Sequence, residues 1–168
     1  MPNVELEACG PERRATLDAL FQLYVHDFSE QWAGQDRGEL EESGRFPDYP
    51  YLDLYWSEPD RSAWLIRAGG HVAGFALLNT HSHSGLPSDH DVAEFFVVRK
   101  HRRSGVGRAA ALALIGGRSG QWELAVARAN TQALSFWRGV AAALSPNVDE
   151  LDLDDDRWNG AILRFRVA

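Results

Sequence analysis

The sequence contains very little cysteine. Cys9 is the only one in 168 residues, so the chain cannot form an internal disulfide. A protein without disulfides fits a reducing compartment, and a cytoplasmic location is therefore predicted. Cys9 itself is interpreted as a small residue at the end of a strand rather than as a nucleophile.

Long apolar runs are also missing. No run approaches the roughly 20 residues that a membrane-spanning helix needs. Met1 is followed by Pro2, Asn3 and Glu5 rather than by a signal peptide, so no association with a membrane is predicted. The hydrophobic content of 45% and the charged content of 24% are typical of a soluble globular protein. The length predicts one domain over residues 1–168, large enough for a proper core.

Positive charge is in the minority. The 17 lysines and arginines are outnumbered by 24 acidic residues, which gives a net charge of −7 and argues against nucleic-acid binding. Five of the basic residues nevertheless fall close together, at Arg99, Lys100, Arg102, Arg103 and Arg108. A solvated charged loop would explain them, but a basic cluster beside two glycines in an acidic protein favours a phosphate-binding loop.

This cluster lies inside a strand–turn–helix pattern that runs from Asp91 to Ile115. An apolar strand over residues 92–98 leads into a basic turn over residues 99–107, which opens a helix. Backbone N–H groups in the first turn of a helix have no intrahelical partner, and the helix dipole adds positive potential there, so such a turn can hold a phosphate. Gly105 and Gly107 would let the main chain approach the anion closely. The pattern is neither a Walker loop nor a dinucleotide fingerprint.

Two blocks of this sequence resemble the GNAT superfamily of N-acetyltransferases. The residues from Arg102 to Gly107, RRSGVG, match its R-x-x-G-x-G pattern and follow an apolar strand as in that family. A second block occurs at the expected distance, with Asn130, Ala133, Phe136 and Trp137. Strand, loop, helix, strand and Asn-led helix come in the family's order. The resemblance is close over the second half of the chain and extends to the first half only in layout.

The resemblance implies an α/β fold, a central mixed sheet with helices on both faces in the order β-α-β-β-β-α-β-α-β-β. The hydrophobic pattern is compatible with this order. It predicts a helix opened by Pro11 and a last, half-exposed strand at 161–167. The other predicted strands are at residues 4–8, 63–67, 72–78, 122–126 and 151–154.

The implied activity is transfer of an acetyl group from acetyl-CoA to a primary amine, on a small molecule or a peptide, by direct attack. The resemblance implies that the pyrophosphate binds the loop and that pantetheine runs along main-chain groups of Val97 and Val98. Dimers are common in such families, so a homodimer is an open expectation. The cofactor-binding residues implied are Val97, Val98, Arg102, Arg103, Ser104, Gly105, Val106, Gly107, Arg108, Asn130, Ala133, Phe136 and Trp137.

Glu94 is the candidate general base, because it is the only carboxylate inside the apolar strand and burial would raise its pKa. Strict alternation predicts that it shares a face with Val92, Phe96 and Val98. A purely structural glutamate is an equally weighted interpretation. Asp91 is the competing base, since some family members carry a carboxylate at that distance before the loop. An ordered water could replace both.

Trp137 occupies the position at which the family usually carries a tyrosine that serves the departing thiolate. An indole N–H can donate a hydrogen bond to sulfur but cannot give up its proton near neutral pH. Either another residue is the acid, or coenzyme A leaves as a hydrogen-bonded thiolate and takes a proton from water. This departure motivates the alternative function, a non-catalytic acyl-CoA-binding or regulatory module of the same fold.

Two polar segments complete the predictions. The segment from Trp32 to Pro50 is predicted to be a mobile loop, or a loop with a short helix. Aromatic residues in and after it could line the acceptor pocket or simply anchor the surface. The Thr80–His90 loop is expected to contact substrate rather than metal, and no metal is predicted. The residues concerned are Tyr49, Tyr51, Tyr55 and Trp56 for the first segment and His81, His83 and His90 for the second.

Overall fold

Seven strands form one sheet in the computed structural model, which describes residues 2–168. The strand order is β1-β2-β3-β4-β5-β7-β6, and every neighbouring pair is antiparallel except β4 and β5. The strands are β1 (Val4–Ala8), β2 (Ser62–Ala68), β3 (His71–Asn79), β4 (His90–Val97), β5 (Gly120–Ala127), β6 (Val148–Asp154) and β7 (Asn159–Val167). The helices are α1 (Arg14–Ser29), α2 (Leu54–Ser57), α3 (Val106–Gly116) and α4 (Thr131–Leu144).

The predicted mixed sheet and order of elements are confirmed, and the structure adds the short helix α2 and three single 3-10 turns. Pro11 opens a single 3-10 turn, Pro11–Arg13, which leads directly into α1. The segment from Trp32 to Pro50 is irregular, as predicted. Its Phe46 is held to α1 by the Gln22 side chain, which accepts from the Phe46 N–H at 2.8 Å and donates to its carbonyl at 3.0 Å.

Helices cover both faces of the sheet, as the alternation along β3 shows. Phe75 and Leu77 pack in one apolar cluster with residues of α1 and α2, such as Leu17 and Tyr55. Their neighbours Ala76 and Leu78 pack in a second cluster with residues of α3 and α4. Successive strand residues point to opposite faces, so α1 and α2 lie on one side of the sheet and α3 and α4 on the other.

Strands β4 and β5 pair over only two positions, His90 with Trp122 and Asp91 with Glu123. Beyond these pairs the two strands separate, and each leads toward the helix that follows it. The Val98 N–H donates to the Ala73 carbonyl at 2.8 Å, on the β3 side. Because backbone groups alternate along a strand, the N–H of Val97 points away from β3 and into the gap between β4 and β5.

A β-bulge in β4 decides which face Glu94 occupies. Leu77 lies opposite Glu94 but Leu78 lies opposite Val92, so Ala93 is an extra residue in β4. Val92 consequently packs with the α3–α4 cluster, whereas Phe96 packs with the α1 cluster. The prediction that Glu94 shares a face with Val92 is therefore wrong. Glu94 lies on the α1 face together with Phe96.

The last strand, β7, is more buried than predicted because it lies between β5 and β6 rather than at an edge. Ile162 is fully buried, and the side chain of Arg164 is mostly buried in an ion pair with Glu123. The prediction of a half-exposed strand is wrong for these two residues and holds for Arg166, which is exposed.

The structure also bears on two features of the sequence, the lack of long apolar runs and the single cysteine. No helix within residues 2–168 is both long and apolar enough to cross a bilayer. Cys9 is buried, and burial raises the pKa of its thiol to about 11 because the charged thiolate is poorly solvated there. A thiol in that state is a poor nucleophile, in agreement with its interpretation as a packing residue.

The close approach of β3 and β4 predicts the effect of an added methyl group at Gly74. A Cβ at Gly74 would lie 1.9 Å from the Phe96 carbonyl oxygen, so the two strands would have to separate. We expect Gly74→Ala to lower the free energy of unfolding by about 3 kcal/mol. Gly139→Ala is the matched control, because nothing lies within 4 Å of its Cβ, and it should raise stability by about 0.5–1 kcal/mol. Urea denaturation of both variants tests this, and equal effects would contradict it.

Candidate active site

The loop between β4 and α3 leaves backbone donors free at the start of a helix. Gly105 precedes α3 with a φ of +86°, a left-handed conformation that strains any residue with a Cβ, and no side chain caps the helix. In the first hydrogen bond of the helix, the Ala109 N–H donates to the Gly105 carbonyl at 2.9 Å. The N–H groups of Val106, Gly107 and Arg108 thus have no partner within the helix, as an anion-binding turn requires.

Gly107 adjoins the gap between β4 and β5. A Cβ built on it would lie 3.7 Å from side-chain atoms of both Phe136 and Val97. A larger side chain would therefore fill the space between the helix start and the gap. Ser104 and Gly105 are exposed and Gly107 is partly exposed, so the residues present fit a bound diphosphate.

Two arginines of the basic cluster turn away from this loop toward α1. Arg99 pairs with Asp27 at 2.9 Å, and Arg102 pairs with the same carboxylate while its Nε donates to the Val97 carbonyl at 2.7 Å. Burial raises the pKa of Asp27, but the hydrogen bonds and charges of Arg102 and Arg99 outweigh it and hold that pKa below its usual value. Within residues 2–168, no salt bridge involves Lys100, Arg103 or Arg108.

Aromatic side chains of the second sequence block line the other side of the gap. The Phe95 ring on β4 lies 5.9 Å from Phe136 and 5.1 Å from Trp137, between ring centroids. Trp137 is 8% exposed and belongs to the core cluster on this face, so it is a packing residue next to Phe136. Asn130 caps α4, because its Oδ1 accepts from the Ala133 N–H at 3.3 Å.

Val97 and Val98 differ in the main-chain groups that they leave free. The Val98 N–H is bonded to Ala73, and its carbonyl accepts from the His101 N–H at 3.0 Å. The Val97 N–H faces the gap, as shown above, while its carbonyl accepts from Arg102. Of the two valines predicted to pair with pantetheine, only Val97 therefore offers a donor toward the gap.

Glu94 is half-buried on the α1 face, where two tyrosines approach its carboxylate. The hydroxyl of Tyr24 donates to Oε2 of Glu94. Burial raises the pKa of Glu94 to about 7, and hydrogen bonds from Tyr24 and Tyr49 limit the rise by stabilising the charged form. Tyr24 was not among the predicted site residues, and the one signal for it in the sequence is a hydroxyl among the apolar residues of α1.

Asp91, the competing base, has a different environment. It is 1% exposed, and neither carboxylate oxygen has a hydrogen-bond partner within residues 2–168. Burial, followed by the charges of Glu123 and Glu94, raises its pKa well above the usual range. Glu123, its neighbour across the β4–β5 pair, stays charged because it binds Arg164 and accepts from the Ser84 N–H at 2.9 Å. Burial therefore favours the neutral form of Asp91.

The predicted aromatic wall of the acceptor pocket divides into two groups. The Tyr49 ring stacks on Phe21, with 4.7 Å between the ring centroids. Burial raises the pKa values of Tyr49 and Tyr55, and the nearby charge of Glu94 raises them further. Tyr51 is 56% exposed, and the Trp56 indole donates to the Cys9 carbonyl at 2.8 Å. The structure thus brings Tyr49 and Tyr55 to the Glu94 site, but Trp56 is an anchoring residue.

The histidines of the Thr80–His90 loop make ordinary structural contacts. The ring centroids of His81 and His83 are 4.6 Å apart, and His83 lies 4.7 Å from Trp158. His90 contacts the Ser119 carbonyl at 3.0 Å through Nε2. Within the described part of the chain, no group of three or more His, Cys, Asp or Glu residues is arranged to hold a metal ion.

The split sheet, the open helix start and the aromatic wall define an acyl-CoA N-acyltransferase-like fold. The sequence matches the acetyltransferase (GNAT) family over residues 17–140, and the chain belongs to that family. No curated protein matches the sequence.

Solved structures share the whole fold at low sequence identity. An acetyltransferase from Thermus thermophilus is 16% identical, with coverage of 98% of this chain and 97% of that one and a TM-score of 0.64. PaiA N-acetyltransferase from Thermoplasma acidophilum, in complex with coenzyme A, is 13% identical, with 98% and 99% coverage and a TM-score of 0.56. The aminoglycoside acetyltransferase AAC(6')-Ib, in complex with coenzyme A and kanamycin, is 9% identical, with 98% and 95% coverage and a TM-score of 0.67.

The geometry at Gly107 predicts that a large side chain there blocks the loop. We expect Gly107→Leu to weaken coenzyme A binding roughly a hundredfold, about 2.7 kcal/mol, because the side chain would occupy the space beside Phe136 and Val97. Gly139→Leu is the matched control, since that glycine is exposed with nothing within 4 Å of its Cβ, and it should bind normally. Calorimetry with coenzyme A measures both, and thermal unfolding checks that each variant is folded. Normal binding by Gly107→Leu would contradict the assignment.

Proposed function

We propose that the chain is a single-domain, acetyl-CoA-dependent N-acetyltransferase that transfers an acetyl group to a primary amine on a small molecule or a peptide. The observation that carries this proposal is the set of unpartnered N–H groups at the start of α3, beside the gap between β4 and β5. Family membership supports the acyltransferase class. The relatives in complex with coenzyme A support the choice of acyl donor.

Acetyl-CoA would supply the activated acetyl group, and the chain would bind and orient it. In this proposal the loop from Arg102 to Gly107 holds the diphosphate through its main chain, and Arg108 adds charge at the first helical turn. The Val97 N–H, which faces the gap, pairs with the pantetheine arm in the manner of an added strand. Holding an amine and a thioester in line lowers the barrier by several kcal/mol through positioning alone.

Glu94 is the proposed general base. It can accept a proton from the amine as the nitrogen attacks, because a pKa of about 7 leaves a large fraction ionised near neutral pH and still makes the group basic enough. Asp91 is a poorer candidate, since burial favours its neutral form, which cannot accept a proton. Its buried position at the base of the gap favours a structural role.

The departing thiolate would receive at most a hydrogen bond from Trp137. The indole N–H does not ionise near neutral pH, so protonation of the thiolate by water is the simpler path. The absence of the usual tyrosine is also what favours the second candidate, a module that binds acyl-CoA without catalysis. Acetyl-CoA binding without thiol release in the presence of any amine would support that candidate.

A thiol-release assay with acetyl-CoA tests the proposed activity directly. Spermidine, kanamycin and a short peptide with a free N terminus represent three classes of primary amine, and kanamycin is included because a related fold binds it. Steady release that depends on the amine would support the enzyme. No binding of acetyl-CoA by calorimetry at millimolar ligand would reject both candidates. Cytoplasmic location and a homodimer stay predictions.

Replacing the proposed base should reduce turnover without affecting the cofactor site. We expect Glu94→Gln to lower kcat about a hundredfold or more, with coenzyme A affinity unchanged. In the native protein kcat should fall as the pH drops through about 7, because protonation of Glu94 removes the base, and the variant should lose this limb. Glu5→Gln, on the exposed edge strand β1, serves as the control and should retain full activity. An unchanged pH–rate profile in Glu94→Gln would rule the residue out.

A further inference from the structure

The side chain of Tyr24 connects α1 to the proposed base on β4. Its hydroxyl donates to Glu94 Oε2 across 70 residues of sequence. The ring is held by four aromatic neighbours, with centroid distances of 4.8 Å to Phe28, 5.5 Å to both Phe75 and Phe96, and 5.9 Å to Phe21. Such contacts leave the hydroxyl little freedom to move, so it reaches Glu94 in a fixed position.

Three tyrosines and one aspartate lie near Glu94, whereas Arg61, the cation that acts on two of these tyrosines, lies over the Tyr55 ring and pairs with Glu58. Tyr24 comes from α1, Tyr49 from the loop before α2, Tyr55 from α2 and Asp91 from β4 itself. No arginine, lysine or histidine in the described part of the chain is among the groups that change its pKa. A half-buried carboxylate without a cation depends on hydrogen bonds for its charged form, and the donors here are tyrosine hydroxyls.

We propose that Tyr24 is a positioning residue for Glu94, whose hydrogen bond fixes the carboxylate in the orientation and charge state that accept a proton from the amine. This rests on the proposed function, in which Glu94 is the base. In that step the amine N–H bond breaks and the proton goes to a carboxylate oxygen of Glu94, while the nitrogen lone pair forms a bond to the acetyl carbon. The C–S bond of the thioester then breaks, and coenzyme A leaves as a thiolate that takes a proton from water. Tyr24 keeps its own proton, because burial and the neighbouring Glu94 charge raise its pKa well above the usual value.

A direct titration of Glu94 tests this without any acceptor substrate. The carboxyl carbons of ¹³C-glutamate-labelled protein are followed by NMR against pH, and the Glu94 signal is the one missing from Glu94→Gln. We expect a midpoint near 7 in the native protein. In Tyr24→Phe the midpoint should rise by about one unit, the size expected for loss of a hydrogen bond to a charged group. An unmoved midpoint would overturn the proposal.

Tyr55→Phe is the matched control for this titration. Tyr55 is a second buried tyrosine near Glu94, but its hydroxyl accepts from the Asn79 side chain at 3.3 Å and does not bond to Glu94. Its variant should leave the Glu94 midpoint in place. An equal shift of the Glu94 midpoint in both variants would mean that the midpoint does not depend on the hydrogen bond from Tyr24, and it would overturn the assignment. Because Tyr24→Phe retains the ring, thermal unfolding should show a folded protein.

Kinetics then separate positioning from a merely structural role. With the most active of spermidine, kanamycin and the peptide, kcat of Tyr24→Phe at pH 7 should fall about fivefold and approach the native value by pH 9, as a one-unit shift requires. In the Glu94→Gln background the same change should cost nothing further. A loss that is uniform across pH, or that persists in that background, would contradict the proposal. If the proposed function itself is wrong, the native protein will release no thiol from acetyl-CoA with any of the amines, which is a different result.

Discussion

The early separation of β4 from β5 is the constraint on which the rest of the structure depends. Two residue pairs join the strands, and beyond them the main-chain groups of β4 that point toward β5 have no strand partner. The junction is fixed by the fully buried Trp122 and by Glu123, which holds Arg164 and, through Ser84, the loop that covers the base of the gap. A buried ion pair of this kind fixes one arrangement, because loss of either partner would leave an uncompensated charge.

The bulge at Ala93 gives the gap two chemically different sides. On the α3–α4 side lie the open helix start and the aromatic wall of Phe136 and Trp137, where a coenzyme would bind. On the α1 side lies Glu94 among tyrosines. Without the extra residue, the carboxylate would have pointed to the same side as Val92. In the proposed reaction, the thioester would thus pass through the sheet to meet an amine that enters from the α1 side.

Elements whose conformation depends on a few neighbouring residues could be predicted from the sequence. The strand, the glycine-bearing turn and the helix from Asp91 to Ile115 were predicted, because Gly105 and the apolar pattern act over a few residues. The helix led by Asn130 was likewise predicted, and Asn130 caps it. The predicted order of elements followed from the family resemblance, since the pattern was compatible with it but did not choose it.

Features that depend on distant packing could not be predicted in the same way. The face of Glu94 depends on its register with β3, and one extra residue reverses it. Tyr24 meets Glu94 only because α1 crosses that face, and a sequence shows no such contact between residues so far apart. The burial of Ile162 required knowing that β7 is inserted between β5 and β6.

Asp27 shapes the electrostatic field around the helix start. By binding both Arg99 and Arg102, it offsets part of their charge, and Lys100, Arg103 and Arg108 are left as the uncompensated cations of the loop. On a protein with a net charge of −7, these three cations stand close together beside the helix start. A polyanion would be attracted to them, and because the Debye length is only about 8 Å at physiological ionic strength, this guidance would act over the last few ångströms of approach.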